Sequence, residues 1–187
     1  MAIRNILKIG NPLLRQKSEE VPLNEIRSKE IKDLVKDMFD SMKAANGIGL
    51  AAPQIGVLKR VVIVGYEPTD RYPNIKFDRE YDGIKYRVFI NPKIEYLTEE
   101  TMGFWEGCLS VPGMRGYVER PKKIRITFYD MEEEFHEEII EGFEAIVVQH
   151  ECDHLDGILY VDRLKDTKLF GFDEEFEKAK QYPPVKV

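Results

Sequence analysis

The pattern of hydrophobic and polar positions predicts a helix early in the chain. Apolar residues recur there every three or four positions, the spacing of one helical face, at Ile31, Leu34, Val35, Met38 and Met42. The pattern ends before the helix-breaking Asn-Gly pair at 46–47. This spacing predicts an amphipathic helix that covers a sheet. No chemically reactive side chain lies on its apolar face, so no cofactor is indicated there.

Short runs of β-branched and apolar residues predict strands. They span residues 61–64, 87–90, 123–129 and 135–140. The last two flank the acidic segment 130–134, and we expect them to form a hairpin with a solvated turn. Between the first two lies the polar segment 66–86, for which we expect a long surface loop, of a length typical of lids, with an embedded hairpin at 82–83.

A second helical pattern runs from residue 143 to residue 155. One stripe of this helix contains Phe143, Val147, His150 and His154. Gly157 follows as a stop signal. The apolar content of the stripe predicts a buried helix.

The C-terminal tail, residues 171–187, is rich in charged residues. It predicts a short helix over 173–180, in which Glu174 and Lys178 stand four residues apart and can pair. At 187 residues the chain fits one hydrophobic core, so we expect residues 1–187, tail included, to form a single domain.

Composition narrows the class of protein. The hydrophobic fraction is 43%, and no apolar run approaches the ~20 residues that cross a bilayer, which predicts a soluble protein without a membrane segment. The first residues lack the continuous apolar stretch of a secretory signal, so we expect a cytoplasmic location. A net charge of −6 argues against nucleic-acid readout, because that role needs a basic surface.

The candidate chemistry centres on residues 149–154, Gln-His-Glu-Cys-Asp-His. His150 and His154 are two of the three histidines, and residues four apart on a helix share a face, so both imidazoles can bind one metal ion. Glu151 stands beside them, where a carboxylate can handle a proton. Burying two imidazoles without a partner is costly, so the spacing predicts a metal-dependent hydrolase.

A catalytic site of this kind needs a third protein ligand and one open position. A histidine six residues after the second is absent, because residue 160 is tyrosine. Glu174 and Glu175 have workable spacing but lie in a charged, exposed-looking helix. Cys108, in a glycine-containing segment, is the stronger candidate and could bring a thiolate to the metal from the side opposite the helix. Cys152 points away from the histidine stripe, so we expect it to be a small core residue.

Three segments resemble the signature motifs of the peptide deformylases. They are residues 47–54 (GIGLAAPQ), 106–110 (EGCLS) and 149–157 (QHECDHLDG), and they follow the order of that family. The opening at 10–15 (GNPLLR) is similar as well, so the resemblance covers nearly the whole chain. It implies an α+β fold, with small, mostly antiparallel sheets packed around a central helix that carries the paired histidines, and one catalytic domain.

The resemblance implies a hydrolase that removes the N-formyl group from N-formylmethionine of nascent polypeptides and releases formate. The implied metal ligands are Cys108, His150 and His154. Glu151 would take a proton from the metal-bound water that attacks the formyl carbon, and would then hand a proton to the departing amine. The side-chain amide of Gln54 and the backbone N–H of Leu109 would stabilise the oxyanion together with the metal.

Four further residues would bind substrate. Val147 lies one turn before His150 and should line a pocket for the methionine side chain, with Ile48 and the backbone of Gly49 on the other wall. Arg115 matches a family position near the entrance of the site. These roles follow from the resemblance, and ordinary core packing explains Val147 nearly as well.

The resemblance also implies a cofactor and partners. The cofactor is one divalent metal ion, Fe²⁺ in the cell, with Zn²⁺, Ni²⁺ or Co²⁺ able to occupy the purified protein. The partners are N-formylmethionyl nascent peptides and, in passing, the ribosome, without direct nucleic-acid readout and without a membrane. Two other functions stay open from the residues alone. One is a metallo-endopeptidase with Glu174 as third ligand, and the other is a non-catalytic metal-binding or ribosome-associated module.

Overall fold

The computed structural model describes residues 3–65 and 86–180. Across these ranges the fold is α+β, with three α-helices and two antiparallel sheets, as the resemblance implied. The loop expected at 66–86 falls outside the described residues except for Tyr86, and so does the hairpin expected at 82–83. Among the helices of the described ranges, none is long and apolar enough to cross a membrane.

The strands form two separate sheets. The strands are β1 (Gly49–Ala51), β2 (Val61–Gly65), β3 (Tyr86–Tyr96), β4 (Thr101–Cys108), β5 (Val111–Pro121), β6 (Lys123–Tyr129), β7 (Phe135–Glu141) and β8 (Phe170–Phe172). The helices are α1 (Lys29–Ala44), α2 (Gly142–Leu155) and α3 (Asp173–Ala179). A five-stranded sheet has the order β1-β2-β3-β6-β7, and a three-stranded sheet has the order β4-β5-β8.

Helix α1 begins at a serine cap and ends before the predicted breaker. The hydroxyl of Ser28 accepts a hydrogen bond from the backbone N–H of Ile31 at 3.2 Å, which satisfies a donor that has no partner within the helix. The five apolar residues of the predicted face are all buried, and they share one core cluster with residues of β1 and β2. The prediction of an amphipathic helix that covers a sheet is therefore confirmed.

Helix α2 is buried on every side. No residue from 145 to 155 is more than 8% exposed, so the predicted buried helix is confirmed. One side packs on the five-stranded sheet in a cluster that includes Val62 and Phe89, and the polar side faces the ends of β4 and β5. The helix ends at Leu155, and Gly157 follows two residues later with a positive φ. A Cβ at Gly157 would lie 2.6 Å from the carbonyl oxygen of Arg15, so this position favours glycine.

The hairpin of β4 and β5 is a feature that the hydrophobic pattern did not predict. Glycines and charged residues interrupt any regular alternation in these strands, and cross-strand contacts explain why. A Cβ at Gly103 would collide with the ring of Tyr117 on the facing strand, so glycine fits there without any shift of the Tyr117 side chain. The hairpin turn brings Cys108, the last residue of β4, to the polar side of α2.

Two other strand predictions differ in detail from the structure. Strand β3 has 11 residues and runs well beyond the predicted 87–90, because it pairs with both β2 and β6. The hairpin of β6 and β7 is confirmed, but its turn is not simply solvated. Asp130 is buried, and its Oδ1 accepts hydrogen bonds from the N–H groups of Glu132 and Glu134. The turn is therefore built around one buried carboxylate, which supplies acceptors for the turn backbone.

Candidate metal centre

The polar side of α2 and the end of β4 bring one thiol and two imidazoles together. His150 and His154 lie on neighbouring turns of α2 with ring centroids 5.1 Å apart, and both are buried. The Cys108 Sγ lies 3.3 Å from Nε2 of His154. One potential ligand atom from each of the three residues falls within 4.8 Å of the others. The structure therefore joins the three residues that were expected to bind the metal.

A buried ion-pair network holds His150 in place. Its Nδ1 lies 2.7 Å from Oε2 of Glu106, which leaves Nε2 available as a ligand atom. Glu106 is also paired with Arg120 through contacts of 2.6 and 3.0 Å. Arg120 in turn donates to Asp153 at 2.8 Å, and Asp153 also pairs with Arg163. A chain of paired charges thus fixes the His150 ring through its Nδ1, an arrangement typical of metal-bound histidines.

The protonation states of these groups fit a cation site. Burial alone would raise the pKa of Glu106, but the charge of Arg120 and the hydrogen bond with His150 lower it to about 2. Burial lowers the pKa of His154 well below its usual value, which keeps that imidazole neutral, as a metal ligand must be. Burial opposes a charge on His150 as well, yet hydrogen bonds with Cys108 and Glu106 hold its pKa well above its usual value. A metal ligand must be a neutral imidazole, so a divalent cation that binds there would take the place of the His150 proton.

The donor set therefore fits a metal ion. One thiolate and two imidazoles are ligands that zinc and divalent iron, cobalt and nickel accept. A second cluster with ligand-like spacing, made of Asp130, Glu134 and His136, lies in the turn of the β6–β7 hairpin. Both carboxylate oxygens of Asp130 already serve the turn backbone and His136, so that cluster has a structural explanation.

The carboxylate of Glu151 is buried away from water but lacks a full set of hydrogen-bond partners. The residue is 5% exposed, and within the described residues its Oε2 has no hydrogen-bond partner. Burial raises the pKa of Glu151 to about 7. A carboxylate with a pKa near neutrality can both accept and return a proton, which is the property that a general base and acid requires.

Gln54 is held with its amide N–H groups directed at the motif around Cys108. It sits in the short 3-10 helix Ala52–Ile55, where its Oε1 accepts from the N–H of Ala51 at 2.8 Å. This contact fixes the amide orientation, because the oxygen is the end that faces a backbone donor. Its Nε2 lies 3.2 Å from the Ser110 hydroxyl and 3.5 Å from the Cys108 Sγ.

The reactive groups line a groove that opens into a small apolar pocket. The groove has a volume of about 340 Å³, and its walls include Gly49, Gln54, Leu109 and Glu151. The apolar pocket has a volume of about 60 Å³. Its walls include Ile48, Phe104, Phe143, Ile146 and Val147, beside His150 and Glu151. The structure thus places the expected residues Ile48 and Val147 in this pocket and Gly49 at the groove.

Arg115 is not a free surface side chain. Its side chain is 12% exposed and pairs through Nε with Asp173 at 2.9 Å, and its Nη1 donates to the carbonyl of Trp105 at 3.2 Å. It forms part of the wall of the apolar pocket, and Asp173 lies on the groove. Asp173 and Lys8 also line the groove, and neither was predicted, because no local pattern distinguishes them from other charged residues.

The alternative ligands and the second cysteine lie elsewhere. Glu174 has a side chain 70% exposed and faces Lys178 at 3.9 Å, and neither Glu174 nor Glu175 lines the groove. The helix predicted for this region is confirmed as α3. Cys152 is buried among the apolar residues between α2 and the five-stranded sheet, where burial raises the pKa of its thiol. The prediction that Cys152 is a core residue is confirmed.

The first prediction concerns the network behind His150. Replacing Arg120 with methionine keeps most of the side-chain volume but leaves Glu106 and Asp153 buried without their shared cation. The free energy of unfolding is expected to fall by about 3–5 kcal/mol, measured by urea denaturation. Arg163→Met is the matched control, because the Arg163 side chain is 33% exposed and a smaller loss is expected. Equal losses in the two variants would contradict this account.

The second prediction concerns the space beside Glu151. A Cβ at Gly49 would lie 2.8 Å from the carboxyl carbon of Glu151 and closer still to one of its oxygens. Gly49→Ala is therefore expected to push the carboxylate out of position and to lower kcat by up to ~10²-fold, the effect of a misplacement of about 1 Å. Metal content, measured on the same sample, should not change. Unchanged kcat would mean that the carboxylate position does not limit the reaction.

Comparisons with known proteins give a consistent result. The family model described as Polypeptide deformylase matches residues 3–170. The chain is 57% identical to the peptide deformylase of Leptospira biflexa over 96% of this chain and 97% of that protein. It is 48% identical to peptide deformylase 2 of Ralstonia nicotianae over 92% of this chain and 93% of that protein.

Solved structures of peptide deformylases are also similar to this chain. The Met-Ala-Ser-bound class I type b peptide deformylase from Acinetobacter baumannii superposes with a TM-score of 0.80 at 37% identity, over 87% of this chain and 99% of that chain. The peptide deformylase from Thermotoga maritima gives a TM-score of 0.74 at 31% identity, over 89% of this chain and 100% of that chain.

Proposed function

The chain belongs to the polypeptide deformylase family, and on that premise we propose how its residues divide the reaction. The protein is a metal-dependent hydrolase that removes the formyl group from N-formylmethionine of nascent polypeptides. The observation that carries the assignment of residues is the convergence of Cys108, His150 and His154 beside the buried carboxylate of Glu151.

Cys108, His150 and His154 are the proposed metal ligands, and with these two histidines α2 would be the metal-bearing helix of the fold. A divalent metal held there supplies polarisation of the formyl carbonyl and lowers the pKa of water in the site. Glu106 keeps the His150 ring in one orientation through its contact with Nδ1, which would leave Nε2 to hold the metal.

Glu151 is the proposed general base and acid. Its free carboxylate oxygen would take the proton from the water that attacks the formyl carbon, and would then deliver a proton to the departing amine nitrogen. The raised pKa suits both transfers at neutral pH, because the group can exist in either form there. Because Gly49 has no Cβ, the Glu151 carboxylate has room to shift between the two proton transfers.

Two donors would stabilise the negative oxygen of the tetrahedral intermediate. They are Nε2 of Gln54 and the backbone N–H of Leu109, and both residues line the groove beside Cys108. Donors held in place before the reaction need no reorganisation when the charge develops. Removing one of them typically costs about 3–4 kcal/mol of activation free energy.

The methionine side chain of the substrate would occupy the apolar pocket. Ile48 and Val147 supply apolar walls that suit a flexible thioether, and the backbone of Gly49 would face the substrate chain. Arg115, held by Asp173, would close the pocket near its entrance. The peptide Met-Ala-Ser bound to the relative from Acinetobacter baumannii supports a peptide substrate for this groove.

The proposed metal in the cell is Fe²⁺, with Zn²⁺, Ni²⁺ or Co²⁺ as substitutes in purified protein. A thiolate with two imidazoles accepts all four, so availability decides which is bound. Metal analysis of protein purified without oxygen, paired with activity, tests this proposal. Iron as the main metal, with activity that falls on exposure to air, is the expected result. Bound zinc with full, air-stable activity would contradict it.

The proposed setting is the cytoplasm, where residues 1–187 would act as one catalytic domain on nascent chains during transient contact with the ribosome. The proposed function itself is tested by release of formate from formyl-Met-Ala with each of several divalent metals supplied without oxygen. We expect release with at least iron and nickel. No formate with any metal would refute it.

Two other functions are not favoured. A metallo-endopeptidase with Glu174 as third ligand conflicts with the exposed position of Glu174 on α3. A module that only holds a metal would need neither the buried carboxylate of Glu151 nor the oriented amide of Gln54.

A further inference from the structure

Three consecutive residues near the N-terminus are bonded to the two loops that frame the candidate metal centre. The N–H of Leu7 donates to the carbonyl of Gln54 at 2.8 Å, and the N–H of Ile9 donates to the carbonyl of Ser110 at 2.8 Å. Between them, Nζ of Lys8 donates to the carbonyl of Leu109 at 2.7 Å. The two backbone bonds hold the segment against the site, and they place the Lys8 ammonium on one particular peptide group.

That peptide group also contacts the thiol. The carbonyl of Leu109 and the N–H of Ser110 belong to the same amide unit, and this N–H donates to the Cys108 Sγ at 3.4 Å. A cation at an amide oxygen draws electron density from the nitrogen and makes the N–H a stronger donor, because hydrogen bonds in series polarise one another. The ammonium of Lys8 is therefore two hydrogen bonds away from the sulfur, with one amide between them.

No other charge neutralises Lys8 in the described part of the chain. Within the described residues its ammonium makes no ion pair with a carboxylate, and it donates a hydrogen bond to the Leu109 carbonyl. Many other lysines, such as Lys122 and Lys165, face a glutamate within 2.7 Å. Lys8 is an exposed residue, and among the described residues the contact of its ammonium is with the amide that bonds the sulfur.

We propose that Lys8 is a positioning residue that acts on the Cys108 thiolate through the amide of Leu109 and Ser110. This rests on the proposed function, in which Cys108 is a metal ligand. A thiolate that receives a stronger hydrogen bond gives less charge to its metal, so the metal remains a stronger Lewis acid. The same bond also steadies the turn that carries the Leu109 N–H, one of the two proposed oxyanion donors.

The test compares three variants of the full-length protein loaded with cobalt(II). Lys8→Met removes the charge and the donor but keeps the chain length, and Lys8→Arg restores both. Lys17→Met is the matched control, because Lys17 is an exposed lysine of the same N-terminal region that lies away from the groove. The readouts are the thiolate-to-cobalt charge-transfer absorption band, and kcat and KM for formyl-Met-Ala.

We expect the band of Lys8→Met to move to longer wavelength, because a sulfur with a weaker hydrogen bond gives up its electrons more easily. In the same variant kcat should fall roughly threefold to tenfold with KM unchanged, the effect of one net hydrogen bond. Lys8→Arg should restore both readouts, and Lys17→Met should match the wild type.

Two results would overturn the proposal while leaving the proposed function intact. One is a band and kcat of Lys8→Met that match those of Lys17→Met. The other is a raised KM with an unmoved band, which would assign Lys8 to peptide binding. A wild-type protein that shows no thiolate band at all would refute Cys108 as ligand, and with it both proposals.

Discussion

Replacing Glu151 with glutamine is expected to lower kcat on formyl-Met peptides by about 10²- to 10⁴-fold, the range that a positioned acid–base group contributes. Glutamine keeps the shape of the side chain but cannot accept the proton of the attacking water. KM should change little, because the lost interaction belongs to the transition state. Metal content, measured on the same sample, should equal that of the wild type, because Glu151 is not a proposed ligand.

Stability gives a second readout for Glu151→Gln. Burial raises the pKa of Glu151 to about 7 from a usual value of 4.5, so the unfolded chain releases this proton more easily than the folded one. Deprotonation between about pH 4.5 and 7 therefore lowers the stability of the wild type, and glutamine avoids that loss. Above pH 7 the variant should unfold at no lower urea concentration than the wild type.

The matched control for Glu151→Gln is Glu177→Gln, an exposed carboxylate on α3, which should leave kcat unchanged. If Glu151→Gln loses its metal together with its activity, Glu151 acts on the metal and not on the proton. That result would contradict the role proposed for it.

Cys108→Ala is expected to lose the metal and, with it, the activity. The thiol is one of three groups whose ligand atoms converge, and its removal leaves two imidazoles to hold the ion. Metal affinity should fall by more than ~100-fold, because changes behind the ligands alone cost about 10- to 100-fold. Competition with a chelator of known affinity, followed by metal analysis of the desalted protein, measures this loss.

Two control variants test whether the loss of metal is specific to Cys108. One removes the other thiol, and the other removes the alternative acidic ligand. Cys152→Ala removes the other cysteine, which lies in the core between α2 and the five-stranded sheet, and it should retain the metal. Glu174→Ala removes the alternative ligand on an exposed helix and should also retain it. Metal retained by Cys108→Ala and lost by Glu174→Ala would reverse the ligand assignment.

Helices α1 and α2 could be predicted from the sequence because helical periodicity is a local property. The apolar face of α1 repeats over a few turns, and a helix that buries one face shows that repeat directly. The hairpin of β4 and β5 could not be predicted from local patterns. At positions such as Gly103, the facing strand and not the neighbours in sequence determines which side chain fits. Strand ends likewise depend on pairing, as the length of β3 shows.

Asp130 shows a different limit of the sequence. It belongs to an acidic run, and composition alone favours a solvated turn. The turn backbone needs an acceptor, however, and the carboxylate at the first position supplies it from a buried place. The charge of a residue does not reveal whether its oxygens face water or amide groups.

In the candidate site, too, some features could be predicted from the sequence and others could not. The spacing of His150 and His154 already implies a shared face and a common ligand, because a helix converts a separation of four residues into proximity. No local sequence pattern shows which charged residues will pair. The contacts of Glu106 with Arg120 and with His150 span 14 and 44 residues, and the contact of Lys8 with Leu109 spans 101. Strand pairing in the β4–β5 hairpin brings Glu106 to Arg120, and the packing of that hairpin on α2 brings Glu106 to His150. Such partners are far apart in the sequence and became visible only in the folded protein.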